Sequence, residues 1–267
     1  MGVAAVSAAA VIGSAVPALA AANQSAATSG TGYDVLTPNG GVHNFGAPWY
    51  GSDAGKLGKQ KAIGLAVDAK TGGYWILTSD GGVQNYNAPW LGSLVTPVDS
   101  PAVTAIAPDG AGYLVLTANG GVHNFGAPWY GSDAGKLGNQ KAIGLAVDAK
   151  TGGYWILTSN GGVQNYNAPW LGSLVTPVDF PPVTAIAPDG AGYLVLTANG
   201  GVHNFGAPWY GSATGTLGNL KAVGLAEDPQ SGGYWILKSD AGVSNYNAPW
   251  YGSIVGPNTT VSGITNA

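Results

Sequence analysis

Short apolar runs separated by glycine-rich turns recur along the chain at a nearly constant spacing. In one unit, the runs cover residues 102–107, 113–117 and 122–125. Runs of this length, rich in Val, Ile, Leu and aromatic residues and bounded by turn residues, predict β-strands. The Asn119-Gly120 pair between the second and third runs is a strong signal for a tight hairpin. Each unit therefore contains at least three short antiparallel strands.

The same unit returns six times. Its copies open with glycines at steps of 41, 39, 41, 39 and 41 residues: Gly32, Gly73, Gly112, Gly153, Gly192 and Gly233. Residues 129–131 follow Pro128 and suit a fourth, outer edge strand, because proline cannot donate to a ladder. A period near 40 with short strands is typical of β-propeller blades. We therefore predict an all-β fold, a six-bladed β-propeller over residues 32–267.

The two ends of the repeat region complement each other. The first unit starts directly at its second strand, around Tyr33, and residues 260–265 align with a first strand. This predicts that the C-terminal strand closes the ring by pairing beside Tyr33. Residues 32–111 and 112–191 differ at only six positions. The ring is thus predicted to contain three two-blade units with approximate threefold symmetry.

The repeats also resemble those of a known family. Residues 73–93 read Gly-Tyr-Trp-Ile-Leu-Thr-Ser-Asp-Gly-Gly-Val and then Asn-Ala-Pro-Trp-Leu-Gly-Ser, which is similar to secreted actinobacterial β-propeller proteins. The resemblance implies a propeller that stands alone or accompanies a cell-wall hydrolase. Residues 66–75 also look like the Trp-docking motif of quinoprotein propellers. That motif pins blades together and does not bind the quinone, so no cofactor is implied.

The N-terminal segment predicts export. Residues 1–22 are small and apolar and end in an Ala-x-Ala pattern typical of a signal peptide, although no Lys or Arg precedes the apolar run. A membrane span is the alternative, but Ala and Gly insert weakly. Residues 23–31 form a short Ser/Thr/Ala/Gly linker. We expect a secreted or cell-surface protein with no membrane span after signal cleavage.

Composition excludes several functions. Only 8% of the residues are charged, all nine basic residues are lysines, and the net charge is −4. Arginine is the preferred reader of phosphate and base edges, so nucleic acid and anionic lipid are poor partners. The chain has no cysteine, which excludes thiolate metal sites, a Cys nucleophile and disulfides.

Three histidines stand 80 residues apart, at His43, His123 and His203, and Gln84 and Gln164 take the same place in two even-numbered blades. Because each histidine belongs to a different blade, we expect no shared metal. Two interpretations stay open. The histidines pack beside a Phe on the blade face, or with the glutamines they line a repeated ligand site.

One tryptophan per unit follows Ala-Pro: Trp49, Trp90, Trp129, Trp170, Trp209 and Trp250. Packing between blades is the favoured interpretation, and stacking on sugar faces is the alternative. Trp75, Trp155 and Trp235 lie on second strands and are predicted to be core. The recurring aspartates suit turns better than calcium sites.

No constellation of residues breaks the repetition in the way that an enzyme site should. The only glutamate, Glu227, stands next to Asp228 on a predicted turn. The sequence therefore favours a monomeric, secreted, multivalent module that binds carbohydrate or cell-wall glycan. A structural or protein-interaction propeller with no small ligand is the alternative, and a hydrolase is the third hypothesis.

Overall fold

The computed structural model describes residues 31–94, 101–174, 180–254, 256 and 259–267. Within these ranges, the chain forms eighteen β-strands and no helix. The strands make six antiparallel sheets of three strands each, which we call blades. The predicted signal peptide and nearly all of the predicted linker lie outside the described residues. Within the described part of the chain, no helix has the length and hydropathy to cross a membrane.

The strands of blades one and two are β1 (Tyr33–Leu36), β2 (Val42–Phe45), β3 (Ala62–Val67), β4 (Tyr74–Thr78) and β5 (Val83–Tyr86). Blades three and four contain β6 (Val103–Asp109), β7 (Gly112–Thr117), β8 (Val122–Phe125), β9 (Ala142–Val147), β10 (Tyr154–Thr158) and β11 (Val163–Tyr166). Blades five and six contain β12 (Val183–Asp189), β13 (Gly192–Thr197), β14 (Val202–Phe205), β15 (Ala222–Asp228), β16 (Gly233–Lys238) and β17 (Val243–Tyr246). The C-terminal strand β18 (Gly263–Asn266) joins blade one.

The middle strand of each blade is covered on both faces. Strands β4 and β10 read Tyr-Trp-Ile-Leu-Thr, and all their residues are buried. Such continuous apolar runs are expected where neighbouring layers cover both sides of a sheet. Six apolar clusters each combine residues of two consecutive blades, including the pair formed by blades six and one. The sheets therefore form a closed ring, which confirms the predicted six-bladed β-propeller.

Tryptophans of the middle strands fill every second interface. Trp75 is fully buried, and its ring centroid lies 5.0 Å from that of Tyr113 in the next blade. Its indole N–H donates to the carbonyl of Pro89 at 2.8 Å, so burial leaves no unpaired polar group. The equivalent ring pairs, both at 4.9 Å, are Trp155 with Tyr193 and Trp235 with Tyr33. The prediction that these three tryptophans are core residues is confirmed.

The C-terminal strand closes the ring, as predicted. Strand β18 pairs antiparallel with β1, with Asn266 opposite Tyr33 and Gly263 opposite Leu36. The side chain of Ile264 packs on the cluster between blades six and one. Blade one is thus assembled from both ends of the repeat region.

A tyrosine hydroxyl ties each middle strand to the preceding blade. Tyr74 donates to the carbonyl of Gly51 at 2.6 Å, and the backbone N–H of Tyr50 donates back to the Tyr74 hydroxyl at 3.2 Å. The same bond to a glycine carbonyl is made by Tyr33, Tyr113, Tyr154, Tyr193 and Tyr234. The contact therefore recurs at all six interfaces.

The predicted fourth strand is wrong. Residues 129–131 form an irregular segment, as do the equivalent residues of the other blades. Pro128 supplies no N–H, and Gly131 adopts a φ of 132° with its backbone against the ring of Tyr166 in the next blade. Isolated bonds hold the segment, such as that from the Asp133 N–H to the Gly120 carbonyl at 2.9 Å. This irregular segment runs along the outer edge of the blade without forming a ladder of β-sheet hydrogen bonds.

Of the two hairpins in a blade, the one between the second and third strands agrees with the prediction and the one between the first and second strands does not. The Asn119-Gly120 hairpin forms as expected, with Gly120 at a φ of 88° and the Gly121 N–H donating to Asn119 Oδ1 at 3.1 Å. The apolar runs 102–107 and 113–117 predict a turn between them at residues 108–112, but Pro108 and Asp109 extend β6 and Gly112 begins β7. The loop of this hairpin is therefore shorter than predicted.

Candidate functional site

The six tryptophans that follow Ala-Pro lie exposed beside the outer strands. Their exposed fractions run from 55% to 67%. Single exposed apolar residues are common on protein surfaces, but six large aromatic side chains exposed at equivalent positions are unusual for a monomer. Such repeated exposure indicates a binding surface. The favoured sequence interpretation, packing between blades, is wrong for these residues, since Trp75, Trp155 and Trp235 do that packing instead.

Local hydrogen bonds set the position of the exposed tryptophan rings in blades three and five. The indole N–H of Trp129 donates to the carbonyl of Val122 on the outer edge of β8 at 3.1 Å, and Trp209 donates likewise to Val202 at 3.1 Å. The Asn124 side chain donates to the Ala127 carbonyl at 2.7 Å and shapes the turn that leads to Trp129. The ring is thus held at the edge while its face stays open.

The residue after each tryptophan alternates around the ring. In odd-numbered blades it is a tyrosine, and Tyr130 and Tyr210 are each 40% exposed. In even-numbered blades the corresponding Leu91, Leu171 and Tyr251 pack on the apolar clusters. Each odd-numbered blade from three to five therefore presents two neighbouring exposed aromatic rings, and each even-numbered blade presents one.

The histidines occupy equivalent places on the third strands. His123 stands opposite Val115 in the register of β8 and β7, and burial lowers the pKa of both His123 and His203. These imidazoles are therefore neutral at pH 7. His203 packs against Phe180, with ring centroids 5.9 Å apart, whereas His43 is exposed. No group of three His, Asp or Glu side chains that could hold a metal ion occurs among the described residues.

The glutamines take the histidine position in even-numbered blades. Gln84 and Gln164 are exposed and stand opposite Ile76 and Ile156 of the middle strands. In blade six the position is Ser244. Each third strand thus offers one hydrogen-bonding side chain on the same edge that carries the exposed tryptophan.

A shallow depression of about 390 Å³ lies beside the hairpin of blade one. Its lining includes Leu57, Lys59 and Lys61. It contains none of the histidines, glutamines or tryptophans identified from the sequence, so it does not unite them.

A carboxyl pair between blades five and six was missed by the sequence analysis. Glu227 lies within β15 rather than on a turn, and its side chain is in hydrogen-bonding contact with Asp189 on β12. Burial and the charge of Asp189 raise the pKa of Glu227 to about 7, and burial raises the pKa of Asp189 to about 6. The only sequence signal was the replacement of Val67 and Val147 by glutamate in the third copy.

Another buried carboxyl with a raised pKa, that of Asp34, lies between blades one and two. Asp34 is 1% exposed, and it accepts one hydrogen bond, from Asn44 Nδ2 at 2.7 Å. Burial raises its pKa to about 7. The register of β1 and β2 places Asp34 where Leu114 and Leu194 stand in blades three and five. One of the six differences between the first two 80-residue copies is therefore a charge placed in the core.

Comparison with known proteins supports the fold. No protein-family model and no curated protein matches the sequence. A chain in the crystal structure of a nidogen/laminin complex is similar with a TM-score of 0.54 at 12% identity, over 88% of this chain and 98% of that one.

Two other solved structures are less similar. The β-propeller domain of Cps50 (Swd1) from Myceliophteria thermophila gives a TM-score of 0.49 at 6% identity, over 88% of this chain and 86% of that one. YCF48 from Cyanidioschyzon merolae gives 0.47 at 11% identity, over 84% and 83%. At these identities the likeness concerns the fold alone.

Proposed function

We propose that this β-propeller is a multivalent binding module that presents one aromatic site per blade, and that its ligand is a carbohydrate polymer such as a cell-wall glycan. The observation that carries the proposal is the exposure of all six Ala-Pro-Trp tryptophans, at 55% to 67%. Indole faces stack well on the apolar faces of sugar rings because both are flat and weakly polar.

The neighbouring side chains suit the same ligand. His123, Gln84 and Gln164 offer uncharged donors and acceptors on the third strands, which can bond sugar hydroxyls. The very low charge of the chain disfavours strongly ionic ligands. A single site of this shallow kind binds weakly, but six sites on one rigid ring give useful avidity toward a repetitive polymer. Secretion to the cell surface, as the N-terminal segment predicts, would bring the protein to such polymers.

The second candidate is a protein-interaction propeller. It is favoured by the fold similarity to a structure that contains nidogen and laminin in complex. Exposed tryptophans also suit protein interfaces, where Trp residues often carry the binding energy. A protein partner would engage one arc of the ring rather than six equivalent sites.

Titration calorimetry with soluble glycan fragments separates the two candidates. The glycan proposal expects heat and a stoichiometry of two or more per chain, up to six, and loss of binding when the exposed tryptophans are replaced by alanine. Absence of binding across a broad glycan panel, together with capture of one protein partner at a stoichiometry of one, would overturn it in favour of the protein-interaction role.

A further inference from the structure

Three equivalent interfaces, between blades one and two, three and four, and five and six, can be compared within this molecule. At the first two, the hydroxyls of Tyr86 and Tyr166 donate to Asp53 and Asp133, both at 2.6 Å. At the third, between blades five and six, the equivalent residue is Ala213, which has no side-chain acceptor. This interface therefore lacks a bond that the other two possess.

The same interface carries the carboxyl pair. Val67 and Val147 pack on apolar clusters at the first two interfaces. Glu227 replaces them at the third and meets Asp189. The Oδ2 atoms of Asp109 and Asp189 are both buried and receive no hydrogen bond from an amide or hydroxyl group of the described residues. Glu227 can fill that gap at Asp189 only while it carries a proton, because two carboxylates cannot bond each other.

The other groups that face the pair do not neutralise it. Asp228 adds a second negative charge beside Glu227, and its carboxylate accepts bonds from the Ser231 hydroxyl at 2.6 Å and the Gln230 N–H at 3.2 Å. Tyr234 faces Asp189 but donates its hydroxyl to the Gly211 carbonyl at 2.6 Å. The Gly190 N–H lies 3.4 Å from Glu227 Oε1. A second ionised carboxylate here would be poorly compensated.

We propose that the interface between blades five and six is a proton-dependent closure of the ring. The Glu227 carboxyl donates to Asp189 while the interface is closed, and loss of that proton loosens this interface before the interface between blades three and four. The inference is independent of the ligand proposed above, because it rests on contacts between blades and not on the outer edge.

The direction with pH follows from the two carboxyls. The pKa of each is raised in the folded ring, to about 7 for Glu227 and about 6 for Asp189, from ordinary values of 4.5 and 3.8. The closed interface therefore holds its protons more tightly than the unfolded chain. Its stabilisation is fully present below the ordinary values and is lost as the pH rises through about 7.

Hydrogen exchange of the full chain, followed by mass spectrometry, tests this directly. After correction for the intrinsic pH dependence of exchange, the opening of β12 and β15 should increase about tenfold or more between about pH 5 and pH 8. The matched interface of β6 and β9 should change clearly less, because burial raises the pKa of Asp109 but no glutamate stands beside it. Equal pH dependence at both interfaces would overturn the proposal.

Two variants sharpen the test. Glu227→Gln keeps a donor toward Asp189 at every pH and should reduce the pH dependence of the opening of β12 and β15 to that of β6 and β9, since Asp189, like Asp109, then stands without a second carboxyl. The reciprocal variant, Val147→Glu, builds the same pair with Asp109 and should transfer the pH-dependent opening to β6 and β9. If Val147→Glu does not fold, the Glu227→Gln result decides alone, and a pH dependence in that variant as large as in the unmodified chain refutes the role of the pair.

Discussion

The hydroxyl of Tyr33 donates a hydrogen bond to the carbonyl of Gly252, which joins residues 219 positions apart in the sequence. Tyr113 makes the identical bond to Gly92 at 2.5 Å over only 21 positions. The ring thus uses one contact both inside the repeat and across its two ends. Whether a contact is local in sequence changes the loop that folding must close, but not the geometry of the closed ring.

Replacing either tyrosine by phenylalanine tests this equivalence. Tyr33→Phe and Tyr113→Phe each remove one hydroxyl donor and leave a glycine carbonyl unpaired, so each should lower the free energy of unfolding by about 1 kcal/mol. Urea denaturation measures both. The folding rates of the two variants should differ only if the two ends of the ring meet early in folding. In that case Tyr33→Phe slows folding and Tyr113→Phe does not. A difference larger than about 1 kcal/mol between the two equilibrium values would contradict the equivalence.

Replacement of the buried and of the exposed tryptophan of one blade should change stability by very different amounts. Trp75→Ala removes a fully buried indole and should destabilise the protein by about 3–5 kcal/mol. Trp90→Ala removes a side chain that is 67% exposed and should change stability by less than about 0.5 kcal/mol. Thermal denaturation of both variants provides the measurement. A large loss of stability in Trp90→Ala would show that the outer tryptophans are structural after all.

Asp34 should make the ring less stable at alkaline pH. Its pKa is raised to about 7 by burial, from an ordinary 3.8, so the folded state holds the proton more tightly than the unfolded chain. Stability is therefore lost as the pH rises from about 4 to about 7, by up to roughly 4 kcal/mol. Asp34→Leu installs the residue found at positions 114 and 194, and it should stabilise the protein more at about pH 8 than at about pH 5.

The carboxyl pair between blades five and six adds a similar pH dependence of stability. The control experiment therefore removes Asp34 and Glu227 in one double variant. Asp34→Leu together with Glu227→Val should flatten the stability profile between about pH 5 and pH 8 more than either change alone. A single Asp34→Leu variant that keeps the full pH dependence would show that Asp34 ionises without cost, for example through water that reaches it.

The fold could be predicted from the sequence because its information is repeated six times. Glycine spacing, Asn-Gly hairpins and the apolar middle strands all point to the same ring, and the unpaired end at Tyr33 predicts the closing strand. The absence of a fourth strand could not be predicted, because a segment with Pro128 before it and Gly131 within it fits both an edge strand and an irregular segment along the edge of the blade. Only the contact of Gly131 with Tyr166 in the next blade decides between them.

The candidate site was less accessible to sequence reasoning. A tryptophan at a fixed place in each blade can fill an interface or face the solvent, and the sequence around Trp90 does not say which. Glu227 and Asp189 lie 38 positions apart, and Gly190 after Asp189 resembles an ordinary turn. The sequence does show that Glu227 and Asp34 replace Val and Leu in one copy of the repeat. Whether such a carboxyl is buried, and what it contacts, depends on the neighbouring blade.

The alternation of the outer aromatic residues predicts how many ligands the ring binds. Tyr130 and Tyr210 add a second exposed ring beside Trp129 and Trp209 in blades three and five, whereas the residue after Trp90 is packed inside. If a sugar chain needs two adjacent platforms, blades three and five provide the sites, because Tyr50 of blade one packs on an apolar cluster, and calorimetry should give a stoichiometry near two. The double variant of Trp129 and Trp209 to alanine should then abolish glycan binding, and the matched double variant of Trp90 and Trp170 should weaken it by less than about tenfold. Equal losses in both variants, with a stoichiometry near six, would assign the site to the single tryptophan that all blades share.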